Sequence, residues 1–520
     1  PPLLVKGGIS VKKLLRFFIS RLFWFSLLIV VQIAILVVIL LNLSSYSNYI
    51  YAAFVLLSLA IVIWLVAKDD NPSYKITWII LIMTLPVLGG FFYLKFGNKT
   101  IPSRYREKTE AHRRSHAALY TEEAGDTAAL MEAYPKFSVQ TDYIRRISGY
   151  PAYTGTQVEY APLGEDFFRM LCEELPRAQK FIFLEYFIIE KGLMWDTILK
   201  LLKERAAAGV EVCLIYDDFG CIRRLSASYP RELAAYNIKA IPFNPLRPSM
   251  DPSLNYRDHR KICVIDGRIA FTGGVNFADE YINEVERFGH WKDTAILLRG
   301  TAVRSMTRMF LQHWTLHDKN DALRNPEAEY LTSLPVPAQG FVQPFPDTPL
   351  DHFNVAENAY QHLIQRSSHY VYITTPYLIL DNEFITTLKT AAESGVDVRI
   401  ITPSHPDKWY VHMVSRSYYQ TLIQSGVKIY EYQPGFIHAK MAICDDDAAM
   451  VGTANLDYRS LYLHYENAVL LFQTPVISDI KKDFEKTLEK SRLITIEELR
   501  SKLRGTSVLC ALLKLLAPLM

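Results

Sequence analysis

Two histidines of this chain stand in the same surroundings. His259 is followed by Lys261, Asp266, Gly273, Gly274 and Asn276, and His438 by Lys440, Asp445, Gly452, Thr453 and Asn455, with identical intervals from His to Asn. With 13 histidines in the chain, one such match could be chance; a second in step with it is not. Residues two apart on a strand face the same side, so each imidazole is expected beside an ammonium. Asp266-Gly267 is a hairpin-turn signal, so KICVID turns back as GRIAFTGG, and the glycines let Asn276 return toward the same edge. Each copy then offers a nucleophile or proton carrier, a charge neutraliser and a hydrogen-bond donor. Two such sets facing one another suit a tetrahedral phosphoryl group.

The elements that carry the motifs are doubled as well. An apolar run at 181–189, a helix ending in AAAG at 206–209 and a strand at 210–216 form a β-α-β unit. The same plan recurs 186–190 residues later, with a run at 371–379, AAESG at 391–395 and a strand at 396–402. Short strands at 236–245 and 425–435 lead into the two motifs. Two tandem α/β halves are the economical fold. The six cysteines (Cys172, Cys213, Cys221, Cys263, Cys444, Cys510) are far apart and form no C-x-x-C pair. They read as reduced, mostly buried thiols of a catalytic part facing a reducing compartment, not as a disulfide framework or a zinc site.

Charge divides the chain. Over all 520 residues, 57 Lys and Arg stand against 54 Asp and Glu, a net of +3. Residues 1–116 hold 14 against 4, a net of +10, and the remaining 404 hold 43 against 50, a net of −7. The basic part also carries three long apolar runs. Residues 22–42 and 49–67 lack any charge and are each long enough to cross a bilayer of ~30 Å as an uncleaved helical hairpin. The third, 76–96, contains Pro86, Gly89 and Gly90 and leads into a basic cluster reaching Arg114, as an interrupted or re-entrant segment would. Basic flanks on both sides favour two crossings with the catalytic part cytoplasmic. The predicted organisation is a membrane anchor region at 1–100, a juxtamembrane linker at 101–150, α/β halves at 151–345 and 346–505, and an apolar interfacial helix at 506–520.

Taken together these features are identified with a family. The paired H-x-K-x4-D motif resembles the phospholipase D superfamily. The stretches NYRDHRKICVIDGRIAFTGGVNFADEY, TTPY and VGTANLDYRSLYLHYENA, with TLPVLGGFFYLKFG and the tail CALLKLLAPLM, resemble bacterial cardiolipin synthases over nearly the whole chain. The resemblance implies two phospholipase D-like sandwich halves with a pseudo-twofold active site. It also implies metal-free and cofactor-free phosphoryl transfer through a phosphohistidine, since two ammonium groups can do what a divalent ion does elsewhere.

By that resemblance the catalytic motif residues are His259, Lys261, Asp266, His438, Lys440 and Asp445. His259 is the nucleophile and His438 the acid and base, although the sequence alone does not break their symmetry. Asn276 and Asn455, with the lysines, bind the substrate phosphate. Asp266 and Asp445 suit a turn or ion-pair role better than direct chemistry. Asp293 and Glu466 are expected to orient the histidines, each within its own half, with Glu280 and Asp457 also near in sequence. His290, His412 and His464 read as packed or surface residues. The implied reaction joins two phosphatidylglycerol molecules into cardiolipin at an anionic membrane surface. A hydrolase using water, a transferase with another phospholipid donor, and a non-catalytic lipid-binding scaffold are the alternatives. A nuclease is disfavoured by the −7 charge of the second part.

Overall fold

The computed structural model describes residues 47–85, 89–90, 92–97, 103–120, 125–246, 255–318, 329–503 and 507–519. The described residues up to 97 form one compact unit, joined by the start of the 245–254 segment; the rest form a second unit.

The second unit is built on two sheets of one plan. Its strands in the first half are Thr156–Ala161 (β1), Phe181–Tyr186 (β2), Glu211–Asp217 (β3), Ile238–Phe243 (β4), Arg257–Asp258 (β5), Lys261–Ile265 (β6), Ile269–Gly273 (β7), His290–Lys292 (β8) and Ala295–Gly300 (β9). Those of the second half are Phe341–Asp347 (β10), Tyr370–Thr374 (β11), Asp397–Pro403 (β12), Lys428–Tyr432 (β13), Gly435–Ile437 (β14), Met441–Cys444 (β15), Ala448–Gly452 (β16), His464–Phe472 (β17) and Ser491–Leu493 (β18). The first sheet runs β1-β9-β7-β6-β2-β3-β4, and the second runs β10-β17-β16-β15-β11-β12-β13 with β18 added at the edge. In each, parallel strands from the β-α-β unit meet antiparallel strands from the motif hairpin. The crossover helices Leu193–Ala207 and Asn382–Glu393 are each followed by a glycine in the left-handed region, Gly209 (φ 90°) and Gly395 (φ 93°), which ends the helix and starts the next strand.

Two predicted strands are shorter than the apolar runs suggested. β2 stops at Tyr186 and β11 at Thr374, where the chain leaves the sheet toward the motif loops. There Ile189 bridges to Phe277 and Leu378 to Leu456, each partner directly following a motif asparagine.

One apolar core joins the two sheets. It takes Phe183, Val264 and Ile296 from the first and Phe345, Ile373, Val451 and Leu470 from the second. The helix Val303–His317 lies in it, with Phe310 stacked on Phe183 at 4.5 Å. The linker predicted at 101–150 needs correction. Leu130, Phe137 and Ile144 are buried in this same core, and Lys136 bonds Asp445 and Asp447 at 2.8 and 2.9 Å. Burying each of those side chains is worth about 1.5–3 kcal/mol, more than a solvated tether could supply. The helical composition was correctly legible; its apolar face had a partner far away in sequence. All six cysteines are free, and all but Cys172 are buried.

In the first unit, the helix Ser47–Ala67 covers the second predicted span with 21 residues, none of them charged. Its side chains are described continuously only from Ala52, and among the described residues no helix is long and apolar enough to cross a membrane. The partner span, 22–42, lies outside the described residues. The third run is interrupted. Helix Pro72–Thr84 ends there, and a five-residue π-turn, Tyr93–Gly97, follows. Tyr74, Trp78, Ile82 and Tyr93 bury against Ile61 and Leu65. A Cβ added at Gly89 would lie 2.6 Å from the Leu81 carbonyl, so this close approach to the preceding helix needs glycine.

Near the C-terminus, helix Ser507–Leu515 packs on helix Trp409–Gln424, burying Cys510, and the following Ala517 is buried too. Its other face leaves Val508, Leu509 and Leu512 exposed. The predicted interfacial helix is therefore half docked and half bare.

Candidate active site

Each motif histidine is positioned by a strand that crosses to the other half. β5 pairs in parallel with the start of β17, matching Arg257 to His464 and Asp258 to Tyr465. One step further, His259 donates its backbone N–H to the Tyr465 carbonyl at 2.9 Å and lies opposite Glu466. β14 pairs in parallel with β8, matching Ile437 to Lys292. One step further, the His438 N–H bonds the Lys292 carbonyl at 2.7 Å and lies opposite Asp293. This register decides the acid partners. His259 Nδ1 faces both Glu466 oxygens at 2.9 and 3.0 Å, and His438 Nδ1 faces Asp293 Oδ2 at 2.6 Å. The expectation that each acid serves the histidine of its own half is thus overturned: the pairs are exchanged. Both carboxylates are fully buried, and each holds its imidazole through Nδ1.

The lysines stand where the strand alternation put them. Lys261 Nζ donates to the His259 carbonyl at 2.5 Å, and Lys440 Nζ lies 2.8 Å from His438 Nδ1 and bonds the His438 carbonyl. Burial, reinforced by both lysines, pushes the two imidazoles well below their usual pKa. Burial also lowers the lysines themselves, Lys261 to about 8 and Lys440 to about 7, against the pull of Glu466 and Asp293. Burial lifts Asp293 to about 7, with Lys440 opposing it. Each imidazole is held by the acid of the other half, so the two sets form one site. A neutral imidazole is what a nucleophile must be. An entering phosphodiester anion favours protonation of the other and keeps both ammonium groups charged.

Asn276 and Asn455 are both buried at the cleft. Asn276 accepts from the Ile188 N–H at 3.0 Å and donates to the Tyr281 hydroxyl at 2.7 Å, leaving one amide N–H free to serve a phosphate oxygen. Asp266 and Asp445 are placed elsewhere. They follow β6 and β15, at the far end of those strands from the lysines. Asp266 accepts the N–H groups of Gln179, Lys180 and Phe181, and Asp445 those of Ser368, His369 and Tyr370, all between 2.6 and 2.9 Å. Their place among the catalytic residues is corrected to clamps on the starts of β2 and β11. Glu280 pairs with Arg287, and Asp457 caps a short helix at Ser460, so neither is a histidine partner.

A family model described as "Cardiolipin synthase, PLD-like domain" matches residues 171–314 and 360–488, and one described as "Phospholipase_D-nuclease N-terminal" matches residues 50–98. Cardiolipin synthase of Geobacillus kaustophilus is 34% identical over 87% of this chain and 90% of its own length. That of Halalkalibacterium halodurans is 32% identical over 92% and 96%. The chain belongs to the cardiolipin synthase family of phospholipase D-like proteins. An uncharacterized protein of Streptococcus mutans is 43% identical over 88% of this chain and 99% of its own length. A phosphatidylserine synthase structure from Haemophilus influenzae shares the fold, with a TM-score of 0.55 at 16% identity over 74% of this chain and all of that one.

Within this family plan, several side chains at the site escaped the reading of spacing. Phe187 packs its ring 5.1 Å from His259, and Tyr281, Trp291 and Phe436 surround His438 at 5.5, 5.4 and 5.8 Å. His464, taken as a packed residue, lies with its ring 5.5 Å from His259. The signal for it was the interval of two to Glu466 on one strand. Behind the cleft, Arg260 bonds the Glu466 carbonyl at 3.2 Å and reaches Glu185, which accepts from or shares a proton with His313 at 2.8 Å. Two described clusters have donor atoms close enough for a divalent ion: His259–His464–Glu466 and Glu185–Asp258–His313. In the first, Glu466 is engaged by His259 and by the Thr453 hydroxyl at 2.5 Å, and lysine charge faces it; in the second, Arg260 stands 3.7 Å from Glu185. Both donor sets already answer to cations and donors of the protein itself.

Proposed function

We propose that this protein is a membrane-held cardiolipin synthase that joins two phosphatidylglycerol molecules into cardiolipin and glycerol. The observation carrying it is the pair of exchanged histidine–carboxylate contacts with two buried lysines, a device for in-line attack at phosphorus. His259 Nε2 attacks the phosphodiester phosphorus, and the bond to the departing glycerol oxygen breaks as His438 supplies its proton. The hydroxyl of a second phosphatidylglycerol then gives its proton to His438 while its oxygen displaces His259 from phosphorus. Lys261, Lys440, Asn276 and Asn455 meet the non-bridging oxygens. Glu466 and Asp293 hold the imidazoles.

The membrane reading rests on the basic first part, the apolar helix Ser47–Ala67, the interrupted segment after it and the bare face of helix Ser507–Leu515. A transmembrane hairpin at 22–42 and 49–67 would hold the catalytic unit on the cytoplasmic face of a bacterial membrane, with the C-terminal helix resting in the interface. The protein reconstituted in phosphatidylglycerol vesicles with a chelator tests both the reaction and its metal independence. Mass spectrometry should find cardiolipin and glycerol in equal amounts. Phosphatidic acid alone would make it a hydrolase, and full activity of both His259→Ala and His438→Ala would remove the site.

A further inference from the structure

The two motifs differ at the residue between their histidine and their lysine. The first reads His259-Arg260-Lys261 and the second His438-Ala439-Lys440. Strand alternation turns this middle residue away from the cleft, toward the interior shared by the two halves. Alanine suits such a place. A guanidinium does not, because burying a charge is costly unless its donors are answered. Arg260 is nevertheless only 6% exposed.

Its donors go to the residues that hold the first histidine. Nε donates to the Glu466 carbonyl at 3.2 Å and Nη2 to the Asp347 carbonyl at 3.4 Å, and Asp347 is the register partner of Glu466 where β10 meets β17. The guanidinium also lies 5.5 Å from the centre of the Tyr465 ring. Tyr465 and Glu466 are the two residues that His259 itself engages, through its backbone N–H and through Nδ1. The start of β17 is therefore gripped on one side by His259 and on the other by Arg260. The pairing this grip reinforces is short, since β5 contributes just Arg257 and Asp258.

Behind Arg260 stands a buried acid–imidazole pair that has no part in the phosphoryl chemistry. Glu185 Oε1 lies 3.7 Å from Arg260 Nη1 and 2.8 Å from His313 Nδ1, and the His313 ring stacks on that of Tyr465 at 5.0 Å. Asp258, next to His259, accepts the Arg260 N–H at 3.3 Å and lies 3.7 Å from His313. Glu185 and His313 thus brace the guanidinium from its far side. The methyl group of Ala439 can do nothing of the kind for Asp293.

We propose that Arg260 is a positioning residue: braced by Glu185 and His313, it fixes Glu466 beneath His259 and thereby sets the rate at which His259 takes the phosphatidyl group. This rests on the phosphohistidine reading given above. Arg260 faces away from the cleft and exchanges no proton; it acts through Glu466.

The test is single-turnover trapping of phosphorus-labelled phosphatidylglycerol on the full chain in vesicles. The first-order rate constant of labelling does not depend on how much of the protein is folded. Arg260→Met, which keeps bulk and loses the donors, should lower it about tenfold or more, and Arg260→Lys, which keeps the charge without the fork, should recover part of that loss. Coupling separates positioning from general loosening. The Arg260→Met factor should persist in the Asp293→Asn background and shrink to about twofold in Glu466→Gln, where no carboxylate is left to place. Glu185→Gln, which keeps Arg260, should show the same dependence on Glu466 at a smaller factor, and it carries the cycle if Arg260→Met does not fold. An unchanged rate in these variants, or an equal factor in both backgrounds, overturns the positioning role. Wild-type protein that traps no label on His259 overturns the phosphohistidine reading instead, and the positioning role with it.

Discussion

The two halves hold their histidines by different means on one backbone plan. In the first half Gly274 follows Gly273, and a Cβ there would lie 2.0 Å from Asp293 Oδ1. The short aspartate presses on that glycine, takes the Thr294 N–H at 2.8 Å and reaches His438 with its other oxygen. In the second half Thr453 occupies the equivalent position. The longer Glu466 leaves room for it, and its hydroxyl bonds Glu466 Oε2 at 2.5 Å while both oxygens face His259. Glycine with aspartate and threonine with glutamate are two solutions to one demand, a carboxylate fixed beneath an imidazole. Repeated halves need not be identical in sequence to meet the same demand.

Removing either acid is the hardest test of that comparison. Glu466→Gln and Asp293→Asn should each lower turnover by about 10²–10⁴-fold, since the amide no longer fixes the tautomer or balances the imidazolium. Because the pairs are exchanged, Glu466→Gln should slow formation of the phosphohistidine on His259. Asp293→Asn should slow proton delivery by His438 and respond to leaving-group acidity. Rapid-quench trapping of the labelled enzyme with both variants checks this, and the reverse assignment would break it.

Interchanging the two solutions sharpens the comparison further. Gly274→Ala should cost about 10-fold or more in activity by pushing Asp293 off His438, whereas Thr453→Gly, which only loses a hydroxyl contact, should cost a few-fold. The double change Gly274→Thr with Asp293→Glu should recover activity relative to Gly274→Thr alone. Steady-state cardiolipin formation is sufficient to see this.

A smaller effect follows from pH. The lysine charges are needed to meet the phosphate, and Lys440 and Lys261 lose theirs near pH 7 and 8 in the empty cleft. The apparent kcat/KM should therefore fall as pH rises through that window, and Lys440→Arg, which stays charged, should move the falling limb upward even at a reduced maximum. An alkaline limb unchanged in that variant would assign it to another group.

The smallest effect on chemistry is expected at the strand clamps. Asp266→Ala and Asp445→Ala each orphan three backbone N–H groups and should destabilise the catalytic unit by about 2–4 kcal/mol. Activity per folded molecule should stay within a few-fold of wild type, as thermal unfolding measured beside activity would show. A loss matching that of the histidine variants would return these aspartates to the chemistry.

Much of the molecule was legible from the chain alone. Equal intervals after His259 and His438, alternation along KICVID and the recurring β-α-β units determined that there are two α/β halves and that His and Lys share a strand face, because strand period and turn chemistry are local. Local rules stop at the end of an element. They gave no means of knowing that 101–150 has a buried face, since Phe137 and Ile144 find their partners in distant strands. Nor did they reveal that Asp293 serves His438 and Glu466 serves His259. That was decided by β5 lying on β17 and β14 on β8, two short contacts between halves whose parallel register carries each histidine one step past its paired strand to the other half's acid.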